Sequence, residues 1–122
     1  MIRNLSEIIL YVKDMESQVR FYRDIMELPV EYPTGVDSYE DQYWVVFDTG
    51  LCKLALHGGG EGKIGKDSPK FVFDVENVKA MRELLSLKGL QVGTIRSPAP
   101  GVEVLDAEDP EGNAFSVEQR SA

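Results

Sequence analysis

The chain has 122 residues, of which 43% are hydrophobic and 28% charged, a composition typical of one soluble globular domain or of two small halves. No apolar run approaches the roughly 20 residues that cross a bilayer, and a net charge of −8 disfavours binding to nucleic acid. The N-terminal sequence lacks the pattern of an export signal, and a single cysteine, Cys52, cannot form an intrachain disulfide. We therefore expect a cytoplasmic protein without a membrane segment.

The first half of the chain predicts the element order βαβββ. Residues 6–12, SEIILYV, have the composition of a strand, and Asp14 is a candidate helix N-cap. Over residues 14–26 apolar side chains recur at helical spacing, and Pro29 ends the pattern. The strands that we predict after this helix, separated by turn-rich residues, cover 29–33, 42–49 and 52–57.

A glycine-rich segment, GGGEGKIGK at 58–66, contains the G-x-G-x-x-G spacing of a dinucleotide-binding turn. Such a turn must lead from a strand into a helix, whereas here a predicted strand follows. A P-loop needs Ser or Thr after its lysine, and Lys63 is followed by Ile64. The segment 58–68 is therefore interpreted as a flexible linker and not as a phosphate site.

The second half repeats the order of the first. Residues 69–75 predict a strand, Asn77 a helix N-cap, residues 78–88 an amphipathic helix and Gly89 its end. The remaining strands are predicted at 90–95, 102–107 and 114–119, with a hairpin turn at 109–112. The sequence thus indicates an internal duplication within a single domain, 1–122, in which residues 58–68 join a first module, 1–57, to a second, 69–122.

The duplicated order, together with VKDMESQVRFYRDIMELP at 12–29 and DPEGNAFSVEQ at 109–119, resembles the vicinal-oxygen-chelate superfamily. This group includes glyoxalase I, bleomycin-resistance proteins, fosfomycin-resistance enzymes and extradiol dioxygenases. One departure is visible after the first helix, where the usual Leu-Gly-Leu is replaced by Met26-Glu27-Leu28. The resemblance covers essentially the whole chain.

The resemblance implies an α+β fold of tandem βαβββ modules, whose curved mixed sheets form a cup around a small-molecule pocket. It also implies a homodimer with pockets between modules. Metal-using members of the superfamily place one ligand on the first strand and one on the last strand of each module. The corresponding residues here are Glu7 and Lys70 on the first strands, and Ala55 and Ser116 on the last strands.

The period of the strands divides each of them into two faces. Apolar sets such as Leu10 and Val12, or Phe115 and Val117, would face the helices. The alternate side chains would then face the cup. Those that we predict to bind a small molecule are Glu7, Ile9, Tyr11, Lys53, Ala55, His57, Lys70, Val72, Ser116 and Glu118.

The implied metal site has lost its usual donors, since alanine has none and a lysine ammonium repels a cation. We expect no metal. The alternative is a divalent ion, Ni, Zn, Mn or Fe, on a rebuilt set that includes Glu7 and His57 and draws on Asp74 and Glu118. For His57 we prefer the interpretation as a strand-end residue beside a glycine loop. Glu7 and Lys70 are either a charge pair at the former metal position or two solvated charges.

Other residues leave open alternatives. By alternation Trp44 shares a face with Val46, and Tyr43 shares one with Val45 and Phe47, so that at most one of these two sets would line the cup. Cys52 is interpreted as a buried apolar residue on a predicted strand and not as a nucleophile. The carboxylates of Asp37, Glu40 and Asp41 fit a solvated loop.

The leading functional hypothesis is a small-molecule-binding protein without the usual metal, similar in role to bleomycin-resistance proteins. The alternative is an enzyme, either a metal-dependent glyoxalase-like lyase or an extradiol-type oxygenase with a rebuilt ligand set. The sequence does not identify the ligand or establish whether a reaction is catalysed, because this one scaffold supports both roles.

Overall fold

The structure is a computed structural model that describes residues 7–61, 65 and 70–121. The chain divides into two compact units, Met1–Ile64 and Gly65–Ala122. Predicted linker positions 62–64 and 66–68, and the first residues of the strands predicted at 6–12 and 69–75, lie outside the described residues. Within the described part, neither helix combines the length and the hydropathy needed to span a membrane.

The first unit has the predicted order βαβββ. Its elements are β1 (Glu7–Tyr11), α1 (Met15–Arg20), which continues as a π-helical turn (Phe21–Ile25), β2 (Val30–Tyr32), β3 (Trp44–Phe47) and β4 (Lys53–His57). The strands lie in the sheet order β1-β4-β3-β2. The first and last strands pair in parallel, whereas β3 pairs antiparallel with both of its neighbours.

Local capping and apolar packing hold α1 on one side of this sheet. Asp14 is the N-cap, as predicted, because its Oδ1 accepts a hydrogen bond of 3.1 Å from the Ser17 backbone N–H. The Tyr22 ring lies 5.9 Å from the ring of Phe47 on β3, and both side chains are fully buried. The helix-facing side of the first sheet is therefore its hydrophobic core.

The second unit repeats this topology. Its elements are β5 (Phe71–Asp74), α2 (Val78–Leu87), β6 (Arg96–Ala99), β7 (Val102–Glu108) and β8 (Ala114–Arg120). They form the sheet order β5-β8-β7-β6, in which β5 and β8 are parallel. Because the same pairing occurs in both units, the predicted α+β fold of tandem βαβββ modules is confirmed.

Both ends of α2 follow the sequence prediction. Asn77 Oδ1 accepts a hydrogen bond of 3.0 Å from the Ala80 N–H at the N-terminus. At the C-terminus Gly89 has a φ of 90°, and the N–H groups of Gly89 and Leu90 donate to the carbonyls of Ser86 and Leu85. This is the Schellman arrangement, which glycine favours because it adopts positive φ without strain.

The prediction of a strand at 90–95 is wrong. These residues lack regular structure, and the edge strand is the exposed sequence RSPA at Arg96–Ala99. The segment instead runs beside α2, where the Arg82 Nε donates to the Gly93 carbonyl at 2.8 Å and a groove of about 350 Å³ forms. The apolar alternation of 90–95 misled the prediction, while Pro98 is tolerated in a strand that lies at an edge.

The predicted turn after β7 is built around a buried carboxylate. Asp109 is 5% exposed, and its Oδ1 accepts hydrogen bonds from the backbone N–H groups of Glu111 and Asn113. Its Oδ2 accepts from the side-chain amide of Asn113, which is fully buried. The DPEGN sequence therefore encodes a turn that fixes the start of β8.

Glu27, which follows the first helical segment, has a backbone conformation in which glycine should stabilise the fold. Glu27 has a φ of 59°, a left-handed conformation that costs an L-residue on the order of 1 kcal/mol. It occupies the position where the resemblance expects glycine. We predict that the free energy of unfolding of Glu27→Gly is about 1 kcal/mol higher than that of Glu27→Ala, because glycine removes this strain.

The control is Glu83, an exposed residue inside α2, where glycine should instead be about 1 kcal/mol less stable than alanine. Urea denaturation of the four variants provides the comparison. If the alanine variant has the higher free energy of unfolding at both positions, the strain at Glu27 is contradicted.

Candidate functional site

The face of the first sheet opposite its core carries the residues predicted to line the cup. The β1–β4 register pairs Glu7 with Lys53, Ile9 with Ala55, and Tyr11 with His57, and paired residues in adjacent strands point to the same side. We call this surface the first cup face. It is unequally exposed: Ile9 and Tyr11 are 41% and 58% exposed, whereas Ala55 is fully buried.

Strand β3 extends this face and resolves which aromatic residues belong to it. Trp44 pairs with His57 and Val46 with Ala55, so Trp44 is on the first cup face, while Val45 and Phe47 are buried on the other side. Tyr43 precedes β3, and the strand period does not govern its side chain. Both aromatic residues contact His57, so Tyr43 departs from the alternation that grouped it with Val45 and Phe47.

Aromatic rings flank His57 at the end of β4. In the described part of the chain, its imidazole centroid lies 4.8 Å from Tyr11, 5.5 Å from Tyr43 and 5.9 Å from Trp44. Tyr43 is 65% exposed, so its ring is accessible to a ligand as well as to the histidine. We call Tyr11, Tyr43, Trp44 and His57 the aromatic site, because apolar ring surface there surrounds a polar group.

A backbone carbonyl fixes the orientation of the imidazole. His57 Nδ1 lies 2.6 Å from the carbonyl oxygen of Gly58, which can only accept a hydrogen bond. Nδ1 must therefore carry the proton and donate it. In the neutral ring this leaves Nε2 with the lone pair, so that His57 presents a hydrogen-bond acceptor.

The glycine run also builds the site. Gly58 N–H donates to the Tyr43 carbonyl, and Gly60 N–H donates to the Val12 carbonyl. A Cβ atom at Gly59 would lie 2.5 Å from the Tyr43 hydroxyl, and one at Gly60 would lie 3.0 Å from the Val12 backbone. Residues 58–60, which the sequence assigns to the linker, thus contact Tyr43 and Val12 within the first unit. A side chain at Gly59, whose φ is 84°, would displace the Tyr43 hydroxyl.

Charged groups occupy the other end of the first cup face. Lys53 Nζ lies 2.7 Å from Asp48 and 3.1 Å from Glu31. Hydrogen bonding to Asp48, and then to Glu31, raises the pKa of the lysine, while its ammonium lowers the pKa of Asp48. Glu7 is the strand partner of Lys53, so this end is ionic whereas the His57 end is aromatic.

The corresponding face of the second unit is ionic. Val72 pairs with Ser116 and Asp74 with Glu118, and β7 places Asp106 beside Ser116. Lys70 Nζ lies 2.6 Å from Asp106, whose carboxylate also accepts hydrogen bonds from Arg96 at 2.7 and 3.2 Å. Lys70 therefore has a carboxylate partner in its own sheet, and its charge does not depend on the predicted pairing with Glu7.

The remaining candidates have structural surroundings. Cys52 is a free thiol just before β4 and is half-buried, not buried as we expected. Asp37, Glu40 and Asp41 are exposed in the loop before β3. That loop is attached to α1, because Glu16 accepts hydrogen bonds from the Ser38 hydroxyl and the Tyr39 N–H. These observations agree with a solvated loop.

Comparison with known proteins identifies the family. The model of the Glyoxalase/Bleomycin resistance protein/Dioxygenase superfamily matches residues 4–117. The chain belongs to this superfamily. No curated protein matches its sequence.

Solved structures share the superfamily fold at low sequence identity. The antibiotic-binding protein TnmS3 from Streptomyces sp. CB03234 is 18% identical with a TM-score of 0.79, and 98% of each chain is covered. The fosfomycin resistance protein FosX from Mesorhizobium loti is 17% identical with a TM-score of 0.73, over 99% of this chain and 95% of that one. A protein of unknown function from Agrobacterium tumefaciens is 21% identical with a TM-score of 0.77, over 99% and 97%.

The residues at the superfamily's metal positions do not fit a divalent ion. Ala55 offers no donor, Ser116 is buried, and Lys70 brings a positive charge that Asp106 already partners. The alternative ligand set does not fit a metal ion within the first unit either. Its members Glu7 and His57 lie about 13 Å apart along the paired strands, which is too far for one ion.

Two further carboxylates of that set, Asp74 and Glu118, are strand partners in the second unit, and Glu118 lies 2.5 Å from Arg120. Across residues 7–61, 65 and 70–121, no three His, Cys, Asp or Glu side chains converge as a metal site would require. We therefore derive no chemistry through a metal.

The ionic cluster of the second unit predicts a pH-dependent contribution to stability. Hydrogen bonds from Arg96, and then from Lys70, hold the pKa of Asp106 well below its ordinary 3.8. Such a contribution is complete above pH 3.8 and is lost as the pH falls through the lowered pKa. We expect Asp106→Asn to lower the free energy of unfolding by about 1 kcal/mol at pH 7, because the half-exposed group is screened by solvent.

The difference between wild type and Asp106→Asn should shrink steadily below pH 4, as followed by urea denaturation at several pH values. Glu108→Gln, which alters an exposed carboxylate on the same strand, is the matched control. A difference for Asp106→Asn that is equally large at pH 7 and at pH 2 would contradict the charge pairing.

Proposed function

We propose that this superfamily member binds a small organic molecule on the first cup face, without the usual metal ion. The aromatic site is the observation that carries the proposal. Small-molecule sites typically combine apolar and aromatic walls with a few fixed polar groups, and the exposed rings around the oriented His57 have that composition. The role would be to hold the ligand, as in bleomycin-resistance proteins.

Charge favours a cationic or neutral ligand. The net charge of −8 repels anions, and the exposed faces of Tyr11 and Tyr43 attract cations. The similar structures include an antibiotic-binding protein and a fosfomycin resistance protein, which supports a search among antibiotics and aromatic metabolites. Exposed apolar surface at Tyr11 and Ile9 would be covered by such a ligand.

Ligand binding should raise the melting temperature and depend on the aromatic site. A ligand at 100 times its Kd stabilises the folded state by about 2.7 kcal/mol, which corresponds to an increase of several degrees. Tyr11→Leu should remove most of that increase, because it removes an exposed ring beside His57. Differential scanning fluorimetry with cationic and aromatic compounds provides the measurement.

The control is Leu51→Ala, which removes an exposed apolar side chain before the opposite end of β4. It should leave the ligand-induced increase unchanged. If the whole library left the wild-type melting temperature unaltered, the ligand-binding proposal would lose its basis.

The alternative function, a metal-dependent glyoxalase-like lyase or oxygenase, needs donors that converge in some other arrangement. Elemental analysis after dialysis against Ni²⁺, Zn²⁺, Mn²⁺ or Fe²⁺ separates the two functions. Our proposal expects substoichiometric metal that is unaffected by His57→Ala. Stoichiometric metal that His57→Ala or Glu7→Ala removes would favour the enzyme.

We also propose a cytoplasmic homodimer. The outer strands of each sheet leave backbone groups available for pairing, and Ile9 on β1 and Val72 on β5 expose apolar surface that a symmetric partner would cover. Sedimentation equilibrium at micromolar concentration should give twice the chain mass of 13.6 kDa. A mass of 13.6 kDa that persists across the concentration range would contradict the dimer.

A further inference from the structure

We infer that the aromatic site selects a planar ligand group that carries an N–H or O–H donor, and that Nε2 of His57 accepts this donor. The inference rests on the proposed function and specifies its ligand class. Three properties of the site support it: the proton position on the imidazole, the ring surface around it and the backbone that holds Tyr43.

The proton position makes the site selective for donors. Because Nδ1–H donates a hydrogen bond to the Gly58 carbonyl, at an Nδ1-to-oxygen distance of 2.6 Å, a neutral His57 has no second N–H to offer a ligand. Its free nitrogen accepts, and a ligand acceptor placed there would meet a lone pair. The phenol groups of Tyr11 and Tyr43 can adapt to either partner, so the directional preference comes from His57.

The ring surface makes the site selective for flat groups. Tyr43 and Trp44 meet the imidazole at interplanar angles of 75° and 77°, and Tyr11 is tilted by 40°. An aromatic ligand can stack on, or pack edge-on against, such rings while its donor reaches the histidine. A bulky aliphatic ligand would gain only non-directional contact.

Gly59 is a positioning residue for this site. It has a φ of 84°, and an added Cβ would lie 2.5 Å from the Tyr43 hydroxyl. Gly59→Ala must therefore move Tyr43 or the backbone beside His57. Gly35 is a matched control, because its φ is 74° and an added Cβ would meet no described atom within 4 Å.

The experiment compares indole with 1-methylindole, which has the same flat body without the N–H donor. Both probes are titrated into the full chain and followed by protein NMR. Wild type should bind indole about 3- to 10-fold more tightly, the contribution of one hydrogen bond. His57→Phe keeps a ring but no acceptor, and it should reduce that ratio to about 1.

Gly59→Ala should weaken both probes by a similar factor and preserve their ratio, whereas Gly35→Ala should leave both affinities unchanged. If His57→Phe does not fold, the ¹⁵N shifts of the wild-type imidazole decide the proton position independently. An Nδ1–H ring supports the inference, and an Nε2–H ring overturns it.

Equal wild-type affinity for the two indoles would overturn the donor selectivity, while any ligand found by thermal screening would still uphold the proposed function. The inference would also be overturned if a screened ligand bound on the first cup face while neither indole bound at the aromatic site. If no compound binds at all, both the inference and the proposed function fail.

Discussion

The parallel pairing of the first and last strands of each unit is the constraint on which the rest of the structure depends. In the first unit it aligns Tyr11 with His57, and in the second it aligns Val72 with Ser116. A slip by one residue would turn every side chain to the other face and place charged groups against the helix. The apolar alternates, such as Leu10 and Leu56, prevent that slip because they are buried in the core.

The same scaffold presents different chemistry in its two units. The first cup face ends in aromatic rings around His57, whereas the second places Lys70 and Arg96 on Asp106. Because duplicated strands fix position and not residue type, each face could change its side chains independently. Ala55 and Ser116, the last-strand residues at the superfamily's metal positions, are small buried side chains that offer no strong metal donor.

The order of helices and strands along the chain and the helix caps could be predicted because they depend on local patterns. Asp14 and Asn77 are capping residues whose preference acts within one turn, and the duplication repeated the prediction. The edge strand at 96–99 could not, because Arg96–Ala99 lacks apolar alternation and is held by pairing with β7. Edge strands of this kind are defined by their neighbours and not by their composition.

The sequence predicted which sheet face carries the candidate site but not the side-chain contacts within it. His57 shares a face with Tyr11, as alternation predicts, whereas Lys70 lies one residue before β5. The partner of Lys70 is Asp106, which the prediction overlooked although it lies on a predicted strand. The contact of Tyr43 with His57 was not predicted, because Tyr43 lies one residue before β3, where the strand period no longer applies. The role of Gly59 depends on a tertiary contact that no local pattern reveals.

The most direct test of the central claim is where a bound ligand lies. Intermolecular nuclear Overhauser effects should be measured for a compound that raises the melting temperature. We predict contacts between ligand protons and the rings of Tyr11, Tyr43 and Trp44. Contacts confined to another surface, such as the groove beside α2 lined by Lys79 and Ile95, would contradict the assignment of function to the first cup face.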